Sequence, residues 1–230
     1  MHDTPHALMM FAAGFGTRMK HLTQDQPKPM IKVAGHPLID HALALGRDAG
    51  CDPIVANLHY KPQVLVNHLA MSGVVTLIET PDILETGGGL RNALPHLGSA
   101  PVFTSNTDAI WAGPNPLHLL KEHWKPDIMD ALLMTVPLDQ AVGHDGSGDF
   151  DISDNGRLTR GGNLIYGGVQ IIKTSGLLEI AEEKFSLNVL WDQILGNGRL
   201  FGLQYTGKWC DVGHPDGIPL AEKMLKDSHV

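Results

Sequence analysis

Residues 7–19 read ALMMFAAGFGTRM, a continuous apolar run that ends in a glycine-rich segment. A run without polar alternation is typical of a strand buried on both faces, and the glycines indicate a tight loop directly after it. Glycines also let backbone N–H groups approach phosphate oxygens, to which Thr17 adds a hydroxyl, Arg18 a bidentate guanidinium and Lys28 a second cation. The segment therefore predicts a phosphate-binding loop, with a tight turn of no further function as the alternative.

Strand-like and helix-like segments alternate along the chain after this loop. Strands are predicted at residues 53–57, 74–78, 101–106, 130–137, 167–172 and 200–205, and helices at 37–45, 62–71, 90–94, 117–124, 177–185 and 189–195. Such alternation predicts an α/β, Rossmann-like fold, in which a mostly parallel sheet carries helices on both faces.

The residue pattern changes at residue 143. From there, segments rich in turn-forming residues separate short predicted strands such as 150–152. A β-rich, substrate-facing subregion is therefore predicted over about residues 143–168. Neither an internal repeat nor a low-complexity linker interrupts the chain. A single domain over residues 1–230 is predicted, with residues 1–6 as a frayed tail.

Composition excludes several classes of protein. The 230 residues carry a net charge of -8, which argues against a nucleic-acid partner, and 43% of them are apolar, which is enough for a sizeable core. The longest apolar runs are less than half of the roughly 20 residues that cross a bilayer, so no membrane partner is predicted. The two cysteines, Cys51 and Cys210, are too few to be the framework of such a chain, and a reducing, cytoplasmic setting fits best.

Two further interpretations of the residues are disfavoured. A dinucleotide-binding loop also begins with Gly-x-Gly, but Met19 occupies the third glycine position of that fingerprint, which weakens the case for an NAD-dependent oxidoreductase. The nearest histidine pairs on predicted helices, His36 with His41 and His118 with His123, are five residues apart. That spacing leaves the side chains well off a shared helix face, so a zinc site is disfavoured.

Several motifs, taken in order, resemble the signature of the sugar-1-phosphate nucleotidylyltransferases. They occupy residues 11–19, 27–30, 34–39, 85–90, 106–108 and 209–213. The resemblance spans almost the entire chain and implies the nucleotide-diphospho-sugar transferase fold, with the β-rich insertion facing the sugar. Within that family, the short length and the Glu-Thr-Gly-Gly-Gly motif at 85–89 are most similar to the N-acetylmuramate α-1-phosphate uridylyltransferases of cell-wall recycling.

Asp108 follows a predicted strand, and carboxylates at the carboxyl edge of an α/β sheet face the crevice where ligands bind. The resemblance implies that Asp108 and Asp211 together hold Mg²⁺, which typically takes one or two carboxylates, plus substrate phosphates and waters. The alternative is structural: Asp108 caps the next helix and Asp211 makes a turn with Gly213. Thr107 stands where the family often has glycine, a departure that puts the metal geometry in question.

The resemblance also implies roles in substrate binding. A flexible loop over residues 85–89 is expected to lie against the nucleobase, where bare backbone can read the edge of uracil, although a loop without that role is the alternative. The nucleotide-binding candidates are Ala13, Gly14, Gly16, Thr17, Arg18, Lys28, Glu85, Gly87, Gly88 and Asn106, among which Arg18 and Lys28 are the catalytic candidates. The sugar-binding candidates are Gly148, Asp149 and Gly168. The chain lacks the Glu-Lys-Pro motif whose lysine contacts the sugar phosphate in many larger relatives, so that contact is left open.

The predicted activity joins a nucleoside triphosphate, with UTP favoured, to a sugar 1-phosphate, with N-acetylmuramate 1-phosphate favoured. The products are a nucleotide sugar and pyrophosphate, and Mg²⁺ is the expected cofactor. Two alternatives stay open. One is a guanylyl- or thymidylyltransferase acting on mannose, heptose or another sugar 1-phosphate, and the other is a nucleotide-binding regulatory module with weak catalysis. The sequence makes no prediction of the oligomeric state.

Overall fold

The computed structural model describes residues 4–228. Its strands are β1 (Leu8–Phe11), β2 (Lys32–Val33), β3 (His36–Pro37), β4 (Ile54–Leu58), β5 (Val75–Ile78), β6 (Val102–Asn106), β7 (Ala109–Ala112), β8 (Ala131–Pro137), β9 (Ala141–Val142), β10 (Phe150–Ile152), β11 (Leu158–Arg160), β12 (Leu164–Ile172), β13 (Leu200–Gln204) and β14 (Lys208–Asp211). Its α-helices are α1 (Leu38–Asp48), α2 (Pro62–Leu69), α3 (Glu85–Leu97), α4 (Pro116–His123), α5 (Asn188–Gly196) and α6 (Gly217–Ser228).

Nine strands form the main sheet, in the order β11-β10-β12-β6-β1-β4-β5, with β8 paired to β12 and β13 paired to β8. Strand β1 is parallel to both β4 and β6, and β4 is parallel to β5. The carboxyl ends of these four strands therefore meet at one edge of the sheet. Strand β12 runs antiparallel to both β6 and β8, so the sheet is mixed where the β-rich segment joins it. The predicted α/β class is confirmed.

Burial on both faces explains why the segment at 7–12 is apolar throughout. Leu8 and Met10 belong to a hydrophobic core shared with helices α1, α2 and α4. Ala7 and Met9 belong to a second core, on the opposite face, shared with helices α3 and α5. Because successive strand residues point to opposite faces, each residue of β1 is enclosed by one of the two helical layers. The prediction of helices on both faces is confirmed.

Strands β7, β14 and β9 form a second sheet that the sequence pattern did not predict. Asp211 on β14 pairs with Ala109 on β7, and the Val212 N–H donates to the Asp108 carbonyl at 2.8 Å. Helix α6, which was also not predicted, packs against this sheet. The pairing matters because it brings two segments together that lie far apart in the sequence.

Two predicted elements were wrong, and one contact explains both. Residues 85–89 are the first turn of helix α3, not a flexible loop. Residues 177–185 form only a 3-10 turn at Ser175–Glu179 and then irregular chain, not a helix. This irregular chain lies against the start of α3, where its carbonyl groups accept hydrogen bonds from the Arg91 guanidinium and from the N–H groups of the helix. Carbonyls bonded in this way do not form the ladder of a helix of their own.

The β-rich segment is part of the main sheet. Strands β10 and β11 form an antiparallel hairpin, and β10 pairs with the start of β12 at Phe150 and Leu164. Of the predicted tail, residues 1–3 lie outside the described residues, whereas Pro5 is buried and the His6 carbonyl accepts a hydrogen bond from the Asp52 N–H at 2.8 Å. The chain is therefore anchored from Pro5 onward. No helix within residues 4–228 has the length and hydropathy to cross a membrane.

Candidate functional site

Three polar and aromatic side chains mark the carboxyl edge of the parallel strands. Phe11 at the end of β1 lies in register with Asn57 on β4 and with Asn106 on β6. The Asn57 amide is buried, and its oxygen accepts a hydrogen bond from the Ala12 N–H at 3.0 Å. This bond fixes the chain where β1 passes into the glycine-rich loop. The edge of the sheet is therefore the floor of the cavities described next.

The first of these, called here the glycine-loop cavity, has a volume of about 220 Å³. Its lining residues are Phe11, Ala12, Ala13, Gly14, Lys28, Pro29, Asn57, Ile83, Glu85, Thr86, Asn106, Thr107 and Asp108. Gly14 has open space where a Cβ would stand, so a ligand can approach its backbone. Gly16 has a φ of +64°, and a Cβ there would lie 2.7 Å from the Lys28 Cβ. The second glycine thus lets the loop turn and pack against the lysine.

Asp108 and Asp211 line a second, adjoining space of about 430 Å³, called here the carboxylate cavity. The pairing of β7 with β14 brings their chain segments together, and Arg18, His144 and His214 line the same cavity. Asp108 also lines the glycine-loop cavity, where its Oδ2 forms an ion pair with the Lys28 Nζ at 2.7 Å. The Arg18 Nη1 lies 3.4 Å from the His214 Nε2. The cations and the carboxylates predicted from the sequence therefore meet at one place.

The pKa of Asp211 reflects burial, a neighbouring carboxylate and several nearby cations. Burial and the neighbouring Asp108 carboxylate raise the pKa of Asp211 above its usual value, although Lys28, Arg18 and His144 act in the opposite direction. Two carboxylates this close are costly to keep ionised unless a positive charge joins them. Among residues 4–228, no group of three or more His, Cys, Asp and Glu side chains is arranged to hold a metal ion. An oxygen-ligand pair fits Mg²⁺, which would complete its shell with phosphate oxygens and water.

A buried carboxylate that the sequence analysis missed supports the glycine-loop cavity. Glu79, directly after β5, is only 2% exposed. Its Oε1 accepts from the Asn57 amide at 2.7 Å, and its Oε2 accepts from the Leu84 N–H at 2.8 Å. Glu79 therefore links Asn57 to Leu84, and the next residue, Glu85, lines the cavity. The signal that could have found it is a carboxylate directly after a predicted strand, the same signal that marked Asp108.

A third space of about 270 Å³ adjoins the other two and is called here the aromatic cavity. It shares Asn106 with both, and Asp149 and Tyr166 line it together with the carboxylate cavity. The Tyr166 and Trp191 rings meet edge to face at 4.9 Å between centroids and form one wall. The Asp149 Oδ2 accepts from the Tyr166 N–H at 2.9 Å, which leaves its other oxygen available to a ligand. Arg160 is the cationic side chain among the described residues that line this cavity.

Comparison with known proteins shows the family to which the chain belongs. The model of the MobA-like NTP transferase domain family matches residues 9–141, which carry the glycine-rich loop and Asp108. The chain belongs to this family. A Caulobacter vibrioides protein named N-acetylmuramate alpha-1-phosphate uridylyltransferase is 35% identical to this transferase, over 99% of this chain and 100% of that protein. The chain is thus an enzyme of the sugar-1-phosphate nucleotidyltransferase class.

The chain is also similar to a longer plant protein and to a solved structure. A protein of Oryza sativa subsp. japonica named probable mannose-1-phosphate guanylyltransferase 2 is 28% identical over 96% of the transferase, which spans 64% of that longer protein. The crystal structure of a UDP-glucose pyrophosphorylase complexed with UDP-glucose superimposes with a TM-score of 0.80 at 15% identity, covering 97% of this chain and 99% of that one. The latter similarity shows the shared fold.

Most of the predicted site residues of the transferase come together, but some lie behind the cavities. Gly87 and Gly88 do not line them, because their N–H groups both donate to the Phe185 carbonyl, at 2.9 and 3.1 Å. A Cβ on Gly87 would overlap the Phe185 ring, and one on Gly88 would lie 2.6 Å from the Glu183 carbonyl oxygen. These glycines therefore allow close packing, and their backbone contact to a base stays a prediction. Glu85 does line the glycine-loop cavity.

Two of the predicted sugar-binding residues also have packing roles. A Cβ on Gly148 would overlap the backbone of Gly162, and Gly168, with a φ of +98°, lies against the Asn106 side chain. Neither lines the three cavities, whereas Asp149 lines two of them. Thr17 lies on the glycine-rich loop but lines none of the three. These glycines shape the hairpin and the sheet edge, and their contact with a sugar stays a prediction.

Thr107, the departure noted in the sequence, has a structural explanation. Its side chain is buried, and its hydroxyl donates to the Phe11 carbonyl at 2.8 Å. The bond ties the end of β6 to the end of β1. The hydroxyl hydrogen is thus committed to a framework bond with β1.

Proposed function

We propose that this transferase moves a uridylyl group from UTP to N-acetylmuramate 1-phosphate, releasing pyrophosphate, with Mg²⁺ as cofactor. The observation that supports this choice is coverage: the uridylyltransferase of Caulobacter vibrioides aligns over its full length, whereas the guanylyltransferase of Oryza sativa has about a third of its length outside the alignment. A place in cytoplasmic cell-wall recycling belongs to the same proposal.

In the proposed reaction, the triphosphate lies along the glycine-rich loop and an oxygen of the sugar phosphate attacks the α-phosphorus in line. Lys28 and Arg18 offset negative charge on the triphosphate, and they are placed at the glycine-loop cavity and the carboxylate cavity respectively. Asp108 and Asp211 would hold Mg²⁺, which supplies electrostatic stabilisation of phosphate charge when bound. No side chain has to form a covalent intermediate, so positioning carries much of the rate enhancement.

A guanylyltransferase acting on mannose 1-phosphate is the second candidate, favoured by the 28% identity to the Oryza sativa protein. Both candidates use the same phosphate and metal residues. They differ in the base that the glycine-loop cavity accepts and in the sugar that the remaining cavities accept.

The experiment is a pyrophosphate-release screen of UTP, GTP, dTTP, CTP and ATP against a panel of sugar 1-phosphates in the presence of Mg²⁺. The expected result is the highest kcat/KM with UTP and N-acetylmuramate 1-phosphate, and Asp108→Asn serves as the inactive control. Higher kcat/KM with GTP and mannose 1-phosphate would select the second candidate. Nucleotide binding without release from any pair would identify a regulatory module instead.

A further inference from the structure

Arg160 is held at the wall of the aromatic cavity by contacts on two sides. Its Nε and Nη2 donate to the Asp192 Oδ1 at 2.9 and 2.6 Å. Its guanidinium lies over the Phe150 ring at 4.9 Å and over the Trp191 ring at 5.8 Å from the centroids. Stacking and the ion pair both restrict the side chain, so little conformational freedom remains to be lost when it binds a ligand.

One edge of this guanidinium is uncommitted. Among the described residues, the Arg160 Nη1 has no hydrogen-bond partner, and the Asp192 contacts use a single carboxylate oxygen on the Nε and Nη2 edge. A guanidinium offers five N–H donors in a planar fork, so it can serve two carboxylates at once. Because Arg160 lines the aromatic cavity, its free Nη1 edge can bind a ligand there.

The remainder of the cavity is suited to a sugar. The Tyr166 and Trp191 rings supply an apolar wall, while Ser186 and Asn188 supply polar groups. Such a combination of aromatic surface with a few polar groups is common in small-molecule sites. Asp149 lies in the same cavity, so an anionic group bound there is expected to lie on the side of Arg160.

We propose that the free edge of Arg160 binds a carboxylate carried by the sugar, so that the aromatic cavity selects sugar 1-phosphates with an anionic substituent. The inference rests on the proposed function and names a specificity residue for it. N-acetylmuramate carries a lactyl carboxylate, and N-acetylglucosamine is the same sugar without the lactyl group. The two 1-phosphates are therefore a matched pair of substrates.

The test measures kcat/KM for both 1-phosphates at saturating UTP, in the parent enzyme, Arg160→Gln and Arg160→Lys. A charge-assisted hydrogen bond that is partly exposed is expected to change kcat/KM by about tenfold. Arg160→Gln should therefore lose about tenfold with N-acetylmuramate 1-phosphate and stay within about twofold with N-acetylglucosamine 1-phosphate. Arg160→Lys should lose less than Arg160→Gln, because it keeps the charge without the planar fork.

Arg157 provides a matched control. It also stacks on an aromatic ring, with its guanidinium 5.5 Å from the Phe201 centroid, and its Nε donates to the Gly198 carbonyl at 2.9 Å. It lines none of the three cavities. Arg157→Gln should leave the ratio between the two sugars unchanged. Equal losses with both sugars in Arg160→Gln, or an unchanged preference, would overturn the inference.

Calorimetric titration of the two sugar 1-phosphates separates this inference from the proposed function. We expect N-acetylmuramate 1-phosphate to bind about tenfold more tightly to the parent, and Arg160→Gln to abolish the difference. A parent that binds the two equally overturns the inference, whichever nucleotide it uses. A parent that shows the preference through Arg160 but transfers a guanylyl group supports the inference and overturns the proposed donor.

Discussion

The glycine-loop cavity and the aromatic cavity are built in different ways. In the first, Asn57, Glu79 and Thr107 are buried at or just beyond the ends of parallel strands and hydrogen-bond to neighbouring backbone. In the second, Arg160 and Asp192 are paired at the surface, with side chains 37% and 63% exposed. The glycine-loop cavity is therefore supported by the core framework, whereas the Arg160–Asp192 pair at the aromatic cavity can change at little cost to folding. Function on variable surface residues around a rigid scaffold is a general pattern.

The largest loss of activity is expected at the carboxylate cavity, which adjoins both of these cavities. Asp108→Asn or Asp211→Asn should lower turnover by about 100-fold or more, because metal stabilisation of phosphate charge is worth several kcal/mol. The double variant should be scarcely worse than the more damaged single one, since groups that act as a unit are not additive. Both predictions are tested by measuring turnover as a function of Mg²⁺ concentration, with chelation by EDTA in parallel.

The exposed carboxylate of Asp216, which lines none of the cavities, provides the control for charge alone. Asp216→Asn should keep parental turnover and Mg²⁺ dependence. Near-parental turnover in either Asp108→Asn or Asp211→Asn would instead favour the capping and turn roles and contradict the shared metal site.

Arg18→Ala should lower kcat/KM for the nucleotide more than kcat/KM for the sugar phosphate. The loss of a charge-assisted contact worth about 1.5 to 3 kcal/mol lowers kcat/KM for the nucleotide by roughly ten- to a hundred-fold. The effect on use of the sugar phosphate should be much smaller, because the guanidinium is expected to face the leaving pyrophosphate. Steady-state kinetics with each substrate varied in turn gives the comparison. A nucleotide kcat/KM within about twofold of the parent would show that Arg18 does not contact the triphosphate.

Glu79→Gln tests whether the buried framework positions the nucleotide. An amide cannot accept from both the Asn57 amide and the Leu84 N–H, so one of the bonds to the cavity wall is lost. We expect the nucleotide KM to rise about tenfold, with kcat and the KM for the sugar phosphate little changed. The exposed Glu122 on α4 supplies the matched control, Glu122→Gln. A fall in the thermal midpoint with no change in nucleotide KM would reduce Glu79 to a purely structural residue.

Asp149→Ala is expected to have the smallest effect and to act on the sugar side alone. The variant loses an acceptor worth about 1 kcal/mol, so the KM for the sugar phosphate should rise about fivefold while the nucleotide KM stays constant. Asp149→Asn should restore most of the loss, because an amide oxygen can still accept from the Tyr166 N–H. The exposed Asp154 in the same hairpin provides the control, Asp154→Ala. An equal rise in both KM values would place Asp149 in the framework instead.

Local pattern was sufficient to predict the central elements of the fold. The apolar run at 7–12 predicts a doubly buried strand because no polar residue interrupts it, and two helical layers do enclose it. The prediction that Gly14, Gly16 and Lys28 bind phosphate likewise rests on the chemistry of the individual residues. Asp108 was found by its position after a strand. These inferences depend only on residues that are close together in the sequence.

Tertiary structure alone decided which distant segments meet. The pairing of Asp211 with Ala109 depends on strands β7 and β14, which are separated in sequence by the whole β-rich segment and by helices α4 and α5, and such pairing has no local signature. The flexible loop predicted at 85–89 was wrong for the same reason, since the Phe185 segment that packs against the start of helix α3 lies far away in sequence. Glu79 and Arg160 gain their roles only from what packs around them. Local composition fixes what a segment can do, whereas burial and long-range hydrogen bonds fix which of those possibilities it adopts.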